Sequence, residues 1–396
     1  MALDYRPKDV EEVPTNEALD TKLLSPSPCL VVYHWPAMEE KLAWVGLNLL
    51  PSLTPRRREL LLRRCGGPKE AWDALGRAPL PELFDDAAHH IFQERRRANP
   101  EEELKKAKKA GAKIVIFSEP EYPEPLKEIP DPPPVLYILG EWKEGDRLAV
   151  GMVGTRRCTS YGRLVAKKLA QELGERGITV VSGMAPGIDT AAHEGALLSG
   201  RTIAVLGTGL GKPYPAGSEK LMERIAARGA VISEFPWDME GAPWTFPRRN
   251  RLIAGLSLLL VVVEAPERSG ALITADYALE QGKEVLAVPG PITSEASAGT
   301  NRLLREGAKP VTSVDDILEE LGVLPFPQIS SKAREPELPP AAAQIYKLLS
   351  LEPLSLEEIV AQTGLPHPQV AQILVELELS GLVEELPGRR FMRKPR

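Results

Sequence analysis

Residues 246–275 read FPRRNRLIAGLSLLLVVVEAPERSGALITA. A basic stretch with helical spacing of its apolar residues precedes a continuous apolar run, and a second helical pattern begins after that run. A short run that is apolar throughout is typical of a strand buried on both faces, as in a parallel sheet. The stretch therefore predicts a helix, a buried strand and another helix in succession, which is the repeating unit of an α/β domain.

Three arginines crowd the first turn of the first of these helices. We place Pro247 at the first helical position, where its missing N–H costs nothing. The arginines Arg248, Arg249 and Arg251 are unfavourable there, because a helix N-terminus already carries partial positive charge. Arg248 and Arg251 are three residues apart and share one face of the helix. We expect an anion to offset the repulsion between them.

The same alternation extends along the chain in both directions. Apolar runs that predict strands occupy residues 148–154, 178–183, 202–207, 230–234, 257–264, 284–290 and 309–312. Helical patterns lie between them, for example at 162–176, 189–198 and 272–281. The sequence therefore predicts a doubly wound α/β domain with a mainly parallel sheet, over about residues 119–322.

The composition limits the function classes. The chain has 396 residues and a formal net charge of -6, so any nucleic-acid binding must come from a local basic patch. Its cysteines, Cys29, Cys65 and Cys158, have no metal-ligand spacing and suit a reducing compartment. No apolar run is long enough for a membrane span, and the acidic N-terminus does not resemble a signal peptide. We expect a cytoplasmic protein with no membrane partner.

Further segments flank the α/β domain. We predict an N-terminal extension at 1–39, a helical domain at 40–118, a linker at 323–339 and a winged-helix domain at 340–396. The piece LLPSLTPRRRELLLRR loosely resembles helix-hairpin-helix and SAM-like modules, which contact DNA backbones. A packing or protein-contact domain with a solvated basic face is an equal alternative.

Small residues and hydroxyls recur where the predicted strands end. The sequences there include Gly154-Thr155-Arg156, Ser182-Gly183 and Arg268-Ser269-Gly270. Ligands of open α/β sheets bind outside the carboxyl ends of the strands, where glycines let backbone N–H groups approach an anion. Several such turns beside an arginine cluster suit a row of phosphates. The residues alone leave single-stranded nucleic acid and a small nucleotide open, and we favour the former.

Catalytic and cofactor sites are less well supported. GMVGTRRCTSYG is not the G-x-G-x-x-G fingerprint of dinucleotide-binding enzymes. We interpret the pair Asp189 and His193 as a local structural contact rather than a general base. Glu234 and Glu264 could ligate a metal or activate water, but we expect them to orient the arginines. No catalytic residue, metal or cofactor is predicted.

Five motifs resemble, in order, the DNA-processing protein A (DprA, or Smf) family. They are SGMAPGIDTAAHEGAL at 182–197, TIAVLGTGL at 202–210 with YP at 214–215, FPRRNRLIAGLS at 246–257, VVVEAPERSGALITADYALEQGKEVLAVPG at 261–290, and GTNRLLREGAK at 299–309. The resemblance covers about residues 120–314. The helical and winged-helix segments also match architectures of this family.

The resemblance implies an extended Rossmann-like domain that binds single-stranded DNA, forms homodimers and loads a RecA-type recombinase during natural transformation. No catalytic activity is implied. The predicted DNA-binding residues are Gly154, Thr155, Arg156, Ser182, Gly183, Gly209, Lys212, Arg248, Arg249, Asn250, Arg251, Arg268, Ser269 and Gly270. The alternative is a nucleotide-processing Rossmann-like enzyme similar to phosphoribohydrolases, which would need an acidic residue after Gly299-Thr300, where this chain has Asn301.

Two positions depart from the family pattern. Pro186 stands where the family usually has an arginine, and Ala216 where it usually has a lysine. Lys212, four residues earlier than Ala216, is a candidate substitute for that charge. We expect the FPRRNR arginines to carry a larger share of DNA binding than usual.

The predicted recognition helix of the winged-helix segment, 367–380, contains Glu376 and Glu378 and no lysine or arginine. A helix that reads the major groove needs basic or amide side chains, and only Gln369 and Gln372 qualify. We favour a protein-contact role for this helix over duplex reading.

Overall fold

The computed structural model describes residues 37–323, 338–350 and 353–394. Residues 1–36 of the predicted N-terminal extension and residues 324–337 of the predicted linker lie outside the described residues. The helical segment consists of α1 (Ala37–Asn48), α2 (Pro55–Cys65), α3 (Pro68–Arg77), α4 (Pro81–Phe84), α5 (Ala87–Arg97) and α6 (Pro100–Lys109).

Local sequence explains the bounds of α2. The Thr54 side chain accepts a hydrogen bond from the Arg57 backbone N–H, and Pro55 occupies the first turn. The helix ends at Gly66, whose φ of 89° is the left-handed conformation that glycine adopts readily. Leu61 points inward and is fully buried with Leu75 of α3. The helical segment therefore has a core of its own.

The α/β part follows in strict alternation after two lead-in strands. Its strands are β1 (Ala112–Ile116), β2 (Val135–Gly140), β3 (Ala149–Val153), β4 (Thr179–Ser182), β5 (Thr202–Val205), β6 (Ala230–Ser233), β7 (Leu259–Val262), β8 (Glu284–Ala287) and β9 (Lys309–Pro310). Its helices are α7 (Ser160–Glu175), α8 (Ile188–Ser199), α9 (Glu219–Arg228), α10 (Thr245–Gly255), α11 (Gly270–Glu280), α12 (Ala298–Arg305) and α13 (Val314–Glu320).

Within the described residues these strands form one nine-stranded sheet in the order β1-β2-β6-β5-β4-β3-β7-β8-β9. From β6 across to β9 all neighbours are parallel, whereas β1 and β2 pair antiparallel at one edge. From β3 the chain winds outward to β6 and then returns to place β7 on the other side of β3. The point between β3 and β7 is therefore the topological switch point of a doubly wound sheet.

Both faces of the sheet are covered, as its continuous apolar strands predict. In β3, Ala149 and Val153 pack in the core with residues of α10, α11 and α12. The alternate residues Val150 and Met152 pack on the opposite face with residues of α7, α8 and α13. On that second face, Val45 of α1 joins the core formed with β1, β2 and α9. The helical segment thus packs directly on the sheet.

The fold class predicted from the sequence is confirmed, but two boundaries differ. Helix α10 begins at Thr245, so Pro247 lies two residues inside its first turn rather than at its first position. Strand β1, which we had assigned to the helical domain at 40–118, pairs with β2 in the sheet. The short apolar run of β1 does not indicate in the sequence which strand it pairs with.

The C-terminal segment has the predicted winged-helix form. It consists of α14 (Pro340–Leu348), β10 (Leu354–Ser355), α15 (Leu356–Thr363), α16 (His367–Leu379), β11 (Val383–Leu386) and β12 (Arg390–Arg393). The strands form a sheet in the order β10-β12-β11. Ile345, Ile359 and Leu374, one from each helix, are fully buried in one core.

Candidate nucleic-acid interface

A groove of about 910 Å³ opens at the switch point, beyond the carboxyl ends of β3 and β7. We call it the switch-point groove. It lies where open α/β sheets bind ligands. The predicted DNA-binding residues that line it are Gly154, Thr155, Arg156, Arg249, Asn250, Arg268, Ser269 and Gly270.

The turn after β3 is fixed to the neighbouring strand. The Thr155 backbone N–H donates to the Glu264 carbonyl at 2.7 Å. A Cβ at Gly154 would lie 2.5 Å from Cγ1 of Ile188 and 2.8 Å from the same carbonyl, so only glycine fits there. The rigid turn presents Arg156 to the groove.

Arg156 rests on a pair of aromatic rings. Its guanidinium carbon lies 5.0 Å from the ring centroid of Phe246 and 5.5 Å from that of Tyr214. The two rings are 5.1 Å apart at 60°. This places a cation and π faces together, the combination that holds phosphates and bases of single strands. The rings were not among the predicted site residues, although Tyr214 is the tyrosine of the YP pair.

Arg249 forms part of the floor of the groove. Only 4% of its surface is exposed, and its Nη1 donates to the carbonyl of Gly183 at 2.6 Å and to that of Val205. Burial lowers the pKa of Arg249 to about 10, while nearby Asp189 opposes that shift. The guanidinium therefore remains charged at neutral pH and supplies positive potential from below.

Asp189 also lines the groove, at the start of α8. Burial raises its pKa to about 6, against the opposing effect of Arg249. One Oδ accepts the Ala185 backbone N–H at 3.3 Å. Asp189 is therefore an acidic group in a site otherwise suited to anions, and its charge depends on pH near neutrality.

The opposite wall comes from the turn before α11. Ser269 caps this helix, because its Oγ accepts the Ala271 backbone N–H at 3.3 Å. Arg268 precedes the cap and Gly270 is the first helical residue. Nothing lies within 4 Å of the Cβ position of Gly270, so the helix N-terminus is open on that side. An open N-terminus with an arginine beside it favours an anion.

Arg248 and Arg251, two of the predicted DNA-binding residues, are not among the residues that line the groove. Their guanidiniums contact Glu234 Oε2, at 3.3 Å for Arg248 and 2.7 Å for Arg251. Asp131 lies 3.5 Å from Arg251 and 3.9 Å from Arg248. The anions that offset their repulsion are therefore carboxylates of the protein. The expected orienting role of Glu234 is confirmed.

Two further predicted residues lie beneath the groove. Ser182 is fully buried, and its Oγ donates to the Met152 carbonyl at 2.6 Å. Gly183 lies under Arg249, where an added Cβ would come within 2.6 Å of the guanidinium. Both residues support the floor, and their backbone does not line the groove.

Gly209 and Lys212 lie beside the groove. The Gly209 N–H donates to the carbonyl of Met239 at 2.8 Å, and an added Cβ would collide with the Pro236 carbonyl. This N–H is therefore engaged within the protein rather than directed to a ligand. Lys212 is exposed, with Nζ 3.9 Å from Glu240.

The candidate catalytic groups have structural roles. Glu264 accepts from the N–H and from the Oγ1–H of Thr159, both at 2.7 Å, and so holds the residue that caps α7. Among the described residues it forms no ion pair with an arginine, contrary to our expectation that it would orient one. His193 is fully buried, and its Nδ1 pairs with Thr202 Oγ1 at 2.7 Å. Burial lowers the pKa of His193 to about 3, so the ring is neutral at physiological pH.

Asn301, which replaces the acid needed by the phosphoribohydrolase alternative, holds the Gly290 turn. Its Nδ2 donates to the Gly290 carbonyl at 3.0 Å, and its Oδ1 accepts the Gly290 N–H at 3.3 Å. Over the part of the chain that the structure describes, no three His, Cys, Asp or Glu side chains are grouped to hold a metal ion.

Comparison with known proteins decides the family. The model of the family described as DNA recombination-mediator protein A matches residues 113–322, more than half of the chain. The chain belongs to the DNA-processing protein A family. A model of the DprA winged helix domain matches residues 330–389.

Relatives of this DprA family member extend over most of its length. Protein Smf of Synechocystis is 38% identical, with 90% of this chain and 100% of that protein covered. A putative DNA processing protein DprA of Mycobacterium tuberculosis is also 38% identical, with 89% of this chain and 94% of that protein covered. The X-ray structure of DprA from Streptococcus pneumoniae is 33% identical and superposes with a TM-score of 0.61, covering 70% of this chain and 97% of that one.

Two observations bear on partners of this DprA-family protein. In the described ranges, no helix has the length and apolar character that crossing a bilayer requires. The exposed side of α16 carries Glu376, Glu378, Val375 and Leu379, and the last is 84% exposed. The preference for a protein-contact role of this helix stays a prediction.

Proposed function

We propose that this chain is a recombination mediator that holds single-stranded DNA in the switch-point groove and delivers it to a RecA-type recombinase in natural transformation. The observation that carries the proposal is Arg156, presented by a rigid turn and resting on Tyr214 and Phe246 at the mouth of a groove with arginines in its walls. Membership of the DprA family supports the same ligand.

A single strand fits this combination better than a duplex. Phosphates of the strand pair with Arg156, Arg157 and Arg268, all of which line the groove. Bases that are free of a partner strand can stack on the ring pair, an interaction that does not depend on sequence. In a duplex the bases are paired and their faces are stacked internally, so the rings would contribute little.

We propose binding rather than catalysis as the activity. The groups that sequence reasoning weighed for chemistry, Glu264 and His193, are committed to a helix cap and to a buried contact. Membership of a family of DNA recombination mediators supports this assignment. We further propose a homodimer and a cytoplasmic location, on the ground of the family resemblance.

The test is fluorescence anisotropy with single- and double-stranded oligonucleotides of equal length over a salt series. Arg156→Ala is expected to weaken single-strand binding about tenfold or more. The change removes a phosphate contact and also the guanidinium that lies against the rings of Tyr214 and Phe246. The slope of log affinity against log salt should become shallower by about 0.7. The variant should also fail to speed the assembly of recombinase on the strand.

The matched control is Arg63→Ala. Arg63 is a surface arginine of α2 whose side chain is 76% exposed and pairs with Glu59. This control should leave affinity within twofold of the original, since exposed charges far from the site are screened. Unchanged single-strand affinity in Arg156→Ala, or equal affinity for single and double strands, would refute the proposal. Release of a base from nucleoside monophosphates would point to the enzyme alternative.

A further inference from the structure

A second cavity, of about 280 Å³, lies on the other side of the segment 241–248 from the switch-point groove. One wall comes from the helical segment, with Leu47, Leu50 and Leu53, and the other from the α/β part, with Phe235 and Met239. We call it the arginine cleft, because Arg58 and Arg248 line it together with Trp244.

The arginine cleft has an excess of positive charge. A cluster of charged side chains lies at the cleft and consists of Arg58, Arg248, Arg251, Asp131 and Glu234. Among the described residues, the ion pairs of its three arginines are all with Asp131 or Glu234. The contact of Arg58 with Asp131 is long, at 4.0 Å. Three guanidiniums against two carboxylates leave one positive charge unbalanced.

The hydrogen bonds of this cluster are also incomplete. Arg251 has a side chain that is only 7% exposed, yet its Nη1 and Nε have no hydrogen-bond partner among the described residues. Glu234 Oε1, in the wall of the cleft, lacks one as well. Arg251 lies behind the residues that line the cleft, whereas Glu234 lines it. Buried polar groups are ordinarily satisfied, and Glu234 Oε1 is an acceptor, so it indicates a hydrogen-bond donor in the cleft, such as a base N–H or water.

A helix N-terminus adds to the positive potential. Thr54 and Pro55, at the start of the 11-residue helix α2, line the cleft beside Arg58. The partial positive charge of a helix N-terminus favours a phosphate or carboxylate at this place.

The cleft adjoins the switch-point groove. Ala242, Pro243, Phe246 and Pro247 line the groove, whereas Trp244 and Arg248 line the cleft. The two cavities therefore share one segment of chain as their common wall.

Trp244 is the most exposed aromatic residue of that segment. It is 52% exposed. The ring centroid of Phe235 lies 6.0 Å from that of Trp244, with an angle of 76° between the ring planes. An exposed indole with its position fixed by a second ring is suited to stack on a base.

We propose that the arginine cleft is a second subsite for the single strand held in the switch-point groove. A nucleotide beyond the groove stacks its base on Trp244 and places its phosphate against Arg58 and Arg248. This inference rests on the proposed function, because it takes the occupant of the groove to be single-stranded DNA. It also gives Arg248 a role in binding, at a site different from the one predicted from the sequence.

The test measures the affinity of the full chain for oligothymidylates of increasing length. In the unchanged protein, affinity should rise until the strand fills both the groove and the cleft. In Trp244→Ala, affinity should stop rising at a shorter strand length. For long strands only, the affinity should be about fivefold or more lower than in the unchanged protein, the loss expected for one stacked base. Arg58→Gln should behave alike and make the salt slope shallower by about 0.7, for one phosphate contact.

The controls separate this inference from the proposed function. Arg156→Ala should lose affinity for strands of every length. Arg63→Ala, on the same helix as Arg58, should keep its affinity for strands of every length. If Trp244→Ala and Arg58→Gln, checked for native thermal unfolding, bind long strands as the unchanged protein does while Arg156→Ala fails, the cleft is not a subsite. If Arg156→Ala also binds normally, the proposed function itself falls.

Discussion

At the scale of single residues, Arg249 and Asp189 set the charge of the groove floor. Arg249 stays protonated, with a pKa of about 10, and His193 on the same helix as Asp189 stays neutral, with a pKa of about 3. Asp189, with a pKa of about 6, is therefore the group of this cluster that titrates just below neutral pH.

This predicts a pH dependence of binding. As pH falls from 7.5 to 5.5, Asp189 takes up a proton and the groove loses a negative charge. Single-strand affinity should rise about fivefold, the effect of about 1 kcal/mol from one partly screened charge. Asp189→Asn should bind tighter at pH 7.5 and show a flat profile, measured by anisotropy at constant ionic strength.

As pH rises, the contributions of Asp189 and His193, both on α8, to the free energy of unfolding should change in opposite directions. The raised pKa of Asp189 means that its contribution to stability is full below about pH 4 and is lost as pH rises through about 6. The lowered pKa of His193 means that its contribution is present above about pH 6.5 and is lost toward pH 3. The two slopes partly cancel between pH 4 and 6 in the unchanged protein, whereas Asp189→Asn keeps only the His193 slope.

At the scale of elements, the start of α7 depends on one close contact. Glu264 caps the helix through Thr159, and the Cβ position of Gly162 lies 2.5 Å from Glu264 Oε2. The glycine in the first turn is therefore needed for the cap to reach the helix, and the cap fixes the end of the turn that carries Arg156.

Gly162→Ala should consequently destabilise the protein. In an ordinary helix interior this change stabilises by about 0.5–1 kcal/mol. Here the added methyl must displace Glu264 and break the cap, so we expect a net loss of about 1–2 kcal/mol in urea unfolding. Gly270→Ala, at a helix start with no atom within 4 Å of its Cβ position, is the control and should be neutral or better. Equal stability of the two variants would contradict this account.

The elements themselves were predictable because their patterns are local. The apolar run at 257–264 predicts β7, and the helical spacing after it predicts α11. The contact of Arg248 and Arg251 with Glu234 was predictable, because Glu234 is close to them in sequence. Their contact with Asp131 was not, because Asp131 lies more than a hundred residues earlier in the chain. The ring pair was not predictable either, since Tyr214, in the loop after β5, and Phe246, in α10, meet only in the folded chain.

At the scale of the whole molecule, the helical segment and the sheet are joined by a common core. Val45 of α1 is fully buried against residues of β1 and β2. Asn48 Nδ2 donates to the Glu234 carbonyl at 3.0 Å, and Lys41 pairs with Glu119 at 3.0 Å. The two parts should therefore unfold together.

Val45→Ala tests this joint unfolding. It should lower the free energy of unfolding by about 2 kcal/mol, since it leaves a cavity in a packed core. Calorimetry should show the transition of residues 37–323 shift as one, with the winged helix, which has a core of its own, unchanged. Leu60→Ala, at a leucine of α2 that is 43% exposed, should cost less than about 0.5 kcal/mol. Two separate transitions for the helical segment and the sheet would show that they are independent.

The ring pair under Arg156 has a consequence for the entropy of binding. A free arginine side chain loses about 0.5–1.5 kcal/mol of conformational freedom when a ligand immobilises it. Arg156 already lies against Tyr214 and Phe246 before any strand arrives. Most of that loss is therefore incurred when the protein folds, so even a short strand can be held without first having to order the arginine that grips it.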